Sequence, residues 1–211
     1  ITMIYAGIDI GSITAKAALI KDGQLLDIHT IATGYNHLKA GERVLEEVLK
    51  KTKLSKTQIS KIVSTGYGRA SVPFADKSMT EILCHGTGAH FLNPETRGII
   101  DVGGQDSKAI LLNENGQGDN FAMNDKCAAG TGRFLEVMAN ALDVPLDEMG
   151  DVGLTSGKPA KISSICTVCA ESVVISMIAN QESRQDIIAG IHDSAAARVA
   201  ILARKIKIKN P

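Results

Sequence analysis

Tryptophan is absent from this chain, and aromatic residues of all kinds make up only 3% of its 211 residues. That argues against the aromatic platforms on which nucleic-acid bases stack. Neither sign of charge is in excess, with 23 Lys and Arg against 23 Asp and Glu, which disfavours a mainly electrostatic partner such as nucleic acid. No apolar run approaches membrane-spanning length. The segment from Ile4 to Ile10 is too short, and too interrupted by Asp9, for the apolar region of a signal peptide. The expectation is a cytoplasmic protein with no nucleic-acid or membrane partner. Only four cysteines occur, Cys84, Cys127, Cys166 and Cys169. In that compartment they read as metal or redox groups before disulfides, with Cys84 as a small buried apolar residue.

Against these absences stands 44% hydrophobic content, enough for one large domain or two small ones. Strands are expected over Ile4 to Ile10, Ala15 to Ile20 and Leu25 to Thr33, with Asp22-Gly23 as the hairpin turn between the last two. Leu38, Val44, Leu45, Val48 and Leu49 share one face of a following helix, and Ile59 to Ser64 is a further strand. A gap-free shift of 92 residues lays Gly7-Ile8-Asp9-Ile10-Gly11 over Ile99-Ile100-Asp101-Val102-Gly103, and Lys16-Ala17 over Lys108-Ala109. Two copies of strand–turn–strand with a Gly-bearing first turn are what a duplicated domain gives. Hairpin-linked strands followed by helices point to mixed α/β layers, with a boundary near Pro94 separating residues 1–94 from 95–211. Ser78 and Glu81 have capping-box spacing before a helix, and Ser183 with Asp186 repeats the signal before a longer one. Helices are also expected over Gly132 to Leu142 and Val168 to Asn180, and an edge strand over Lys205 to Lys209.

Asp9-Ile10-Gly11-Ser12 ends the first strand, with Thr14 and Lys16 soon after. A tight Gly turn after a strand offers backbone N–H groups to phosphate oxygens, and an aspartate there can hold magnesium through waters. Asp101-Val102-Gly103-Gly104-Gln105-Asp106 repeats the device, and two such loops facing one another would clamp a polyphosphate. Neither loop ends in the Gly-Lys-Ser/Thr of a Walker loop, and no Gly-x-Gly-x-x-Gly stands at a first strand turn. Thr65-Gly66-Tyr67-Gly68-Arg69 reads as a nucleotide-cleft loop or as an ordinary turn.

Cys127 precedes Ala128-Ala129-Gly130-Thr131-Gly132 and a helix, and Cys166 lies at the start of another. Near helix N-termini, with Lys126 adjacent to the first, thiolates are favoured. The small residues Gly130, Thr131 and Gly132 would let backbone amides approach an anion or a cluster sulfur. Two such thiolates suit a negatively charged metal centre. A four-iron cluster takes four thiolates, which two subunits contributing two each would supply about a twofold axis. Cys166-x-x-Cys169 also has the spacing of a local metal site or a redox pair. Glu171 would orient a water or tie its helix to the cluster, or only favour the helix start; His85 reads as a core or surface residue.

Together these segments resemble the ATP-dependent activators of (R)-2-hydroxyacyl-CoA dehydratases, relatives of the ATPase subunits of benzoyl-CoA reductase. The stretch from Asn124 to Phe134 is the most specific, joined by Gly7 to Ser12, Thr65 to Arg69, Asp76-Lys77, Asp101 to Lys108, Ser164 to Val168, Ala170-Glu171-Ser172 and Ile188 to His192. The resemblance implies an actin-like (ribonuclease H-like) duplicated ATPase fold of mixed sheets flanked by helices, with ATP or ADP and Mg2+ bound between the halves. It implies a homodimer sharing one [4Fe-4S] cluster through the positions of Cys127 and Cys166, helices that swing on nucleotide binding, and reduced ferredoxin or flavodoxin as electron source. By the same resemblance, Asp9, Gly11, Ser12, Thr14 and Lys16 face phosphate and magnesium. Asp101, Gly103, Gly104 and Asp106 belong to the second clamp, where Gln105 positions the attacking water. Cys169 departs from the aromatic residue usual in the family, and the chain ends at Pro211 where relatives continue into a strand, a Gly-Gly turn at the adenosine and closing helices. The competing readings are a sugar or acetate-type kinase of the same fold and a non-enzymatic metal module with zinc on Cys166 and Cys169.

Overall fold

The computed structural model describes residues 2–162 and 166–208. The matched residues Ser164 and Ile165, and Lys209 of the expected edge strand, lie outside them. Two compact units are present, Ile1–Gly88 and Ala89–Pro211.

In the first unit, β1 (Ile4–Ile10), β2 (Thr14–Lys21) and β3 (Gln24–Ala32) form an antiparallel meander. Asp22 and Gly23 both take positive φ, 50° and 82°, as a two-residue primed turn requires. Alternation sets the faces: Ile4, Ala6, Ile8 and Ile10 of β1 and Ala15, Ala17 and Leu19 of β2 are buried. The helix α1 (His37–Thr52) covers that face with Val44, Leu45, Val48 and Leu49. Asn36 caps its start, its side chain accepting from the Lys39 amide. The chain then adds β4 (Lys61–Thr65) parallel to β1 and the two-residue β5 (Lys77–Ser78) parallel to β4, giving the order β3-β2-β1-β4-β5. That order, an antiparallel meander continued by parallel strands, is ribonuclease H-like.

The helix α2 (Glu81–Leu92) carries the division between the units, ahead of Pro94. Its cap differs from the expected one. Ser78 is engaged in β5, and Thr80 Oγ1 instead receives the Leu83 amide at 3.5 Å.

The second unit repeats the meander as β6 (Gly98–Val102), β7 (Ser107–Leu112) and β8 (Gly118–Asn124), all antiparallel. The cross-strand pair Asp9↔Lys16 recurs as Asp101↔Lys108, and Ile8↔Ala17 as Ile100↔Ala109. The duplicated, actin-like architecture is thus visible residue by residue. Four helices follow: α3 (Gly132–Leu142), α4 (Met149–Leu154), α5 (Thr167–Ala179) and α6 (Arg184–Lys205). Phe134 and Met138 of α3, Val174 of α5 and Ile187, Ile188 and Ile191 of α6 form their common core. Ser183 caps α6 as expected, accepting from the Asp186 amide.

The expected edge strand from Lys205 is not formed in the described residues. The apolar face of α6 runs on through Leu202 and Ala203 to Ile206, which pack with Ala109 of β7. The helix therefore continues to Lys205 and ends in a turn, with Lys207 at φ 59°.

Candidate functional site

Each unit places a carboxylate and a lysine on neighbouring strands beside a tight glycine turn. In the first, the Gly11 amide donates to Thr14 O at 3.0 Å. A Cβ on Gly11 would stand 2.8 Å from that same oxygen, so the turn admits only glycine. Thr33 Oγ1 donates to Gly11 O at 2.8 Å and holds the turn from β3's end. Lys16 Nζ lies 3.2 Å from Asp9 Oδ2, with both side chains substantially exposed, so the pair is held loosely and open to a ligand. Ser12 and Thr14 are half-buried on the same turn.

The Thr65-Gly66-Tyr67-Gly68-Arg69 loop closes on this turn. Gly66, at φ 88°, presses against the Asp9 carboxylate and Ile10 O, and the Gly68 amide donates to Ile10 O at 2.8 Å. Arg69 Nη1 is held by Gly66 O and Glu81 Oε2, each at 3.1 Å. Beside Asp9 and Lys16 the unit opens a cavity of about 620 Å³, whose wall includes Ile8, Val63, Thr65 and Met79. Thr65 Oγ1 is buried there without a hydrogen-bond partner. Cys84, expected to be buried, is half-exposed and lines this cavity.

In the second unit the Gly103 amide donates to Asp106 O at 2.8 Å, reproducing the Gly11 turn. Here the lysine is buried. The Lys108 side chain is 5% exposed, with Nζ 2.7 Å from Asp106 Oδ1 and 3.5 Å from Asp101 Oδ2. Gln105 is exposed at the tip of the turn.

This second loop is fastened to the cysteine segment. The Gly132 amide donates to Gly103 O and the Arg133 amide to Gly104 O, both at 2.9 Å. Ser107 Oγ, buried on β7, donates to Gly130 O at 2.5 Å. Asn124 Nδ2 donates to Cys127 O at 2.8 Å and Ala129 O at 3.2 Å. The first amides of α3 therefore serve the loop. Cys127 itself lies in the turn between β8 and the cap residue Thr131, half-buried against the helical core.

Cys166 is the cap residue of α5, its sulfur accepting the Cys169 amide at 3.3 Å. The two sulfurs are 3.0 Å apart. Hydrogen bonding to the Cys169 thiol, then to its amide, holds the Cys166 thiol below its ordinary range. The same hydrogen bond and the neighbouring charge push the Cys169 thiol up. Arg198 of α6 packs over Gly130, with Nε buried and unpartnered, and its charge adds to the lowering at Cys166. Sequence patterning gave no warning of Arg198, which follows Ala195, Ala196 and Ala197 on a helix read only for its apolar face. Glu171 is half-buried on α5, and His85 is exposed on α2. Among the described residues, no group of three or more His, Cys, Asp or Glu converges as a metal site.

Duplicated ribonuclease H-like sheets with a glycine turn beside a carboxylate–lysine pair in each half define an actin-like ATPase. Within that class the chain belongs to the BadF/BadG/BcrA/BcrD ATPase family, whose model matches residues 6–211. The chain is 46% identical over 208 residues to the 2-hydroxyisocaproyl-CoA dehydratase activator of Clostridioides difficile, covering 98% of this chain and 78% of that one. It is 48% identical over 204 residues to the activator of lactoyl-CoA dehydratase of Anaerotignum propionicum, covering 95% and 78%. The crystal structure of component A of (R)-2-hydroxyglutaryl-CoA dehydratase from Acidaminococcus fermentans superposes with a TM-score of 0.94 at 44% identity, covering 99% and 80%. Among the described residues no helix is long and apolar enough to cross a membrane.

Proposed function

We propose that this chain is an ATP-hydrolysing single-electron donor that activates an iron–sulfur dehydratase acting on a 2-hydroxyacyl-CoA. The observation that carries the reading is the set of hydrogen bonds tying the turn to the segment that follows Cys127: the Gly132 and Arg133 amides donate to Gly103 O and Gly104 O, and Ser107 Oγ donates to Gly130 O. A phosphate-binding turn and a metal-ligand turn joined in this way move together. Nucleotide that shifts the first shifts the population of the second.

ATP is held through Gly11, Ser12, Thr14 and Lys16 and through Gly103, Gly104 and Asp106. Lys16 would exchange its exposed partner Asp9 for a phosphate oxygen, and Asp9 would then be free to hold Mg2+, which would neutralise phosphate charge. Thr65 Oγ1 supplies a further hydrogen bond that the protein alone leaves unmade. Asp101, fixed by the buried Lys108, holds its place beside the second turn, and Gln105 orients the attacking water. Cys127 and Cys166 suit a thiolate-ligated cluster: both precede helices of one unit, and hydrogen bonding to Cys169 holds the Cys166 thiol below its ordinary range. One chain gathers no complete ligand set among its described residues, so each of two subunits would contribute Cys127 and Cys166 to one [4Fe-4S] cluster. Such a cluster supplies one-electron transfer at low potential. The homodimer is supported by α5, which leaves Val168, Ile175 and Ile178 exposed along one stripe, Val168 at 71%. Reduced ferredoxin or flavodoxin is the matching one-electron source.

The test is anaerobic purification with iron, sulfide and native mass measured per chain, followed by ATP-dependent reduction of a dehydratase. About two irons and two sulfides per chain in a dimer are expected. A colourless monomer that hydrolyses ATP and phosphorylates a sugar or acetate would overturn the reading in favour of the kinase.

A further inference from the structure

Two cysteines per subunit complete a four-thiolate cluster, which leaves Cys169 unused. It is not an isolated thiol. Its sulfur lies 3.0 Å from that of Cys166, and its amide donates to the Cys166 sulfur at 3.3 Å. Closing that gap to a disulfide bond of about 2.05 Å takes a movement of about 1 Å, within one side-chain adjustment at the helix start. Cys169 is exposed and Cys166 only half-buried, so a small reagent reaches both. A zinc site on the pair lacks further ligands, because no group of three or more His, Cys, Asp or Glu converges among the described residues.

We infer that Cys166 and Cys169 form a reversible dithiol–disulfide site that low-molecular-weight disulfides of the glutathione type oxidise. The Cys166 thiolate attacks one sulfur of the reagent RS–SR, forming a mixed disulfide and expelling RS⁻. The Cys169 thiol loses its proton and its sulfur attacks the Cys166 sulfur, expelling the second RS⁻. Two protein thiols lose two electrons and two protons, and one RS–SR becomes two RSH. Resting on the cluster reading above, the consequence is that the bridge withdraws Cys166 from metal ligation. Iron loading then answers to the thiol redox state of the surroundings, and reduction restores it.

The test uses the metal-free, reduced protein treated with oxidised glutathione, then alkylated and digested with trypsin. Both cysteines fall on the tryptic peptide 162–184. The expected result is loss of two of the four alkylatable thiols, with that peptide lighter by two hydrogens and restored by dithiothreitol. Cys169→Ser leaves a glutathione adduct on Cys166 and no bridge, while Cys127→Ser leaves the bridge unchanged. The bridged protein takes up no iron until it is reduced. Persistent mixed disulfide on Cys166 in the unsubstituted chain, or a bridge that includes Cys127, would overturn the inference. Bridge formation in a protein that never takes up iron upholds the dithiol and sinks the cluster reading instead, so the two failures are distinct.

Discussion

The amide of Gly132 donates to the carbonyl of Gly103 at 2.9 Å, joining the first residue of α3 to the glycine turn after β6. A helix start generally leaves its first amides for a side chain, water or a ligand. Here the glycine turn after β6 takes two of them, so a displacement of Gly103-Gly104 pulls directly on the segment that begins at Cys127.

Ser107→Ala separates this linkage from nucleotide binding. It removes the buried donor to Gly130 O and leaves that carbonyl unsatisfied, at a cost of about 1–3 kcal/mol. ATP hydrolysis persists while ATP-driven electron transfer to the dehydratase falls, as urea midpoints and paired hydrolysis and reduction assays would show. Equal loss of both activities would mean that the bond serves only the fold.

Gly103→Ala acts on the turn itself. The added Cβ would lie 2.6 Å from Asp106 Oδ1 and 3.0 Å from Asp106 O, so the turn must open. ATP affinity drops by at least about tenfold, or ~1.4 kcal/mol, measured by titration calorimetry. An unchanged dissociation constant would remove this turn from the nucleotide site.

Lys108→Met leaves Asp101 and Asp106 without the buried cation between them. Breaking a buried pair from one side costs about 3–5 kcal/mol, read as a lowered denaturation midpoint. Adding Asp106→Asn recovers part of the loss, because it removes the nearer of the two carboxylates that Lys108 had compensated.

Asp186 supplies the acid-sensitive fastening of the loop before α5. Its carboxylate accepts from Ser156 Oγ at 2.6 Å and from the Lys158 amide at 3.2 Å. The Ser156 hydrogen bond, then that to Lys158, holds the carboxyl below its ordinary value of 3.8. A pKa lowered by folding stabilises the folded state above the unfolded value, and the contribution disappears as pH falls through the folded one. Asp186→Asn therefore destabilises at pH 7, and the gap from the parent closes below about pH 4. A gap that stays constant down to pH 2 would contradict this.

The first meander, α1 and both glycine turns were legible in the sequence because they rest on local rules, namely alternation, the Asp22-Gly23 turn and a 3.6-residue stripe; the repeat of the opening was legible too, but not its third strand, β8. The cap of α2 was not, since Ser78 and Thr80 are equally good local signals and pairing with β4 took Ser78. The tail from Lys205 alternates like a strand, yet the packing of Leu202 and Ile206 beside β7 extends the helix. In the site, residue types and spacing pointed to Asp9, Asp101 and Cys166. The burial of Lys108 and the bond between Gly132 and Gly103 are tertiary events between segments far apart in sequence, invisible to any local pattern.

The strand order of the first unit also sets a timetable. β1, β2 and β3 pair through short turns, whereas β4 reaches β1 only after α1 has been traversed. Short loops close at small entropic cost and long ones later. In refolding, amide protons of Ala15–Leu19 on the central meander strand gain protection from exchange before those of Ile62–Ser64. The Asp9 turn is assembled first and acquires its Gly66 wall last, once the parallel strand has docked.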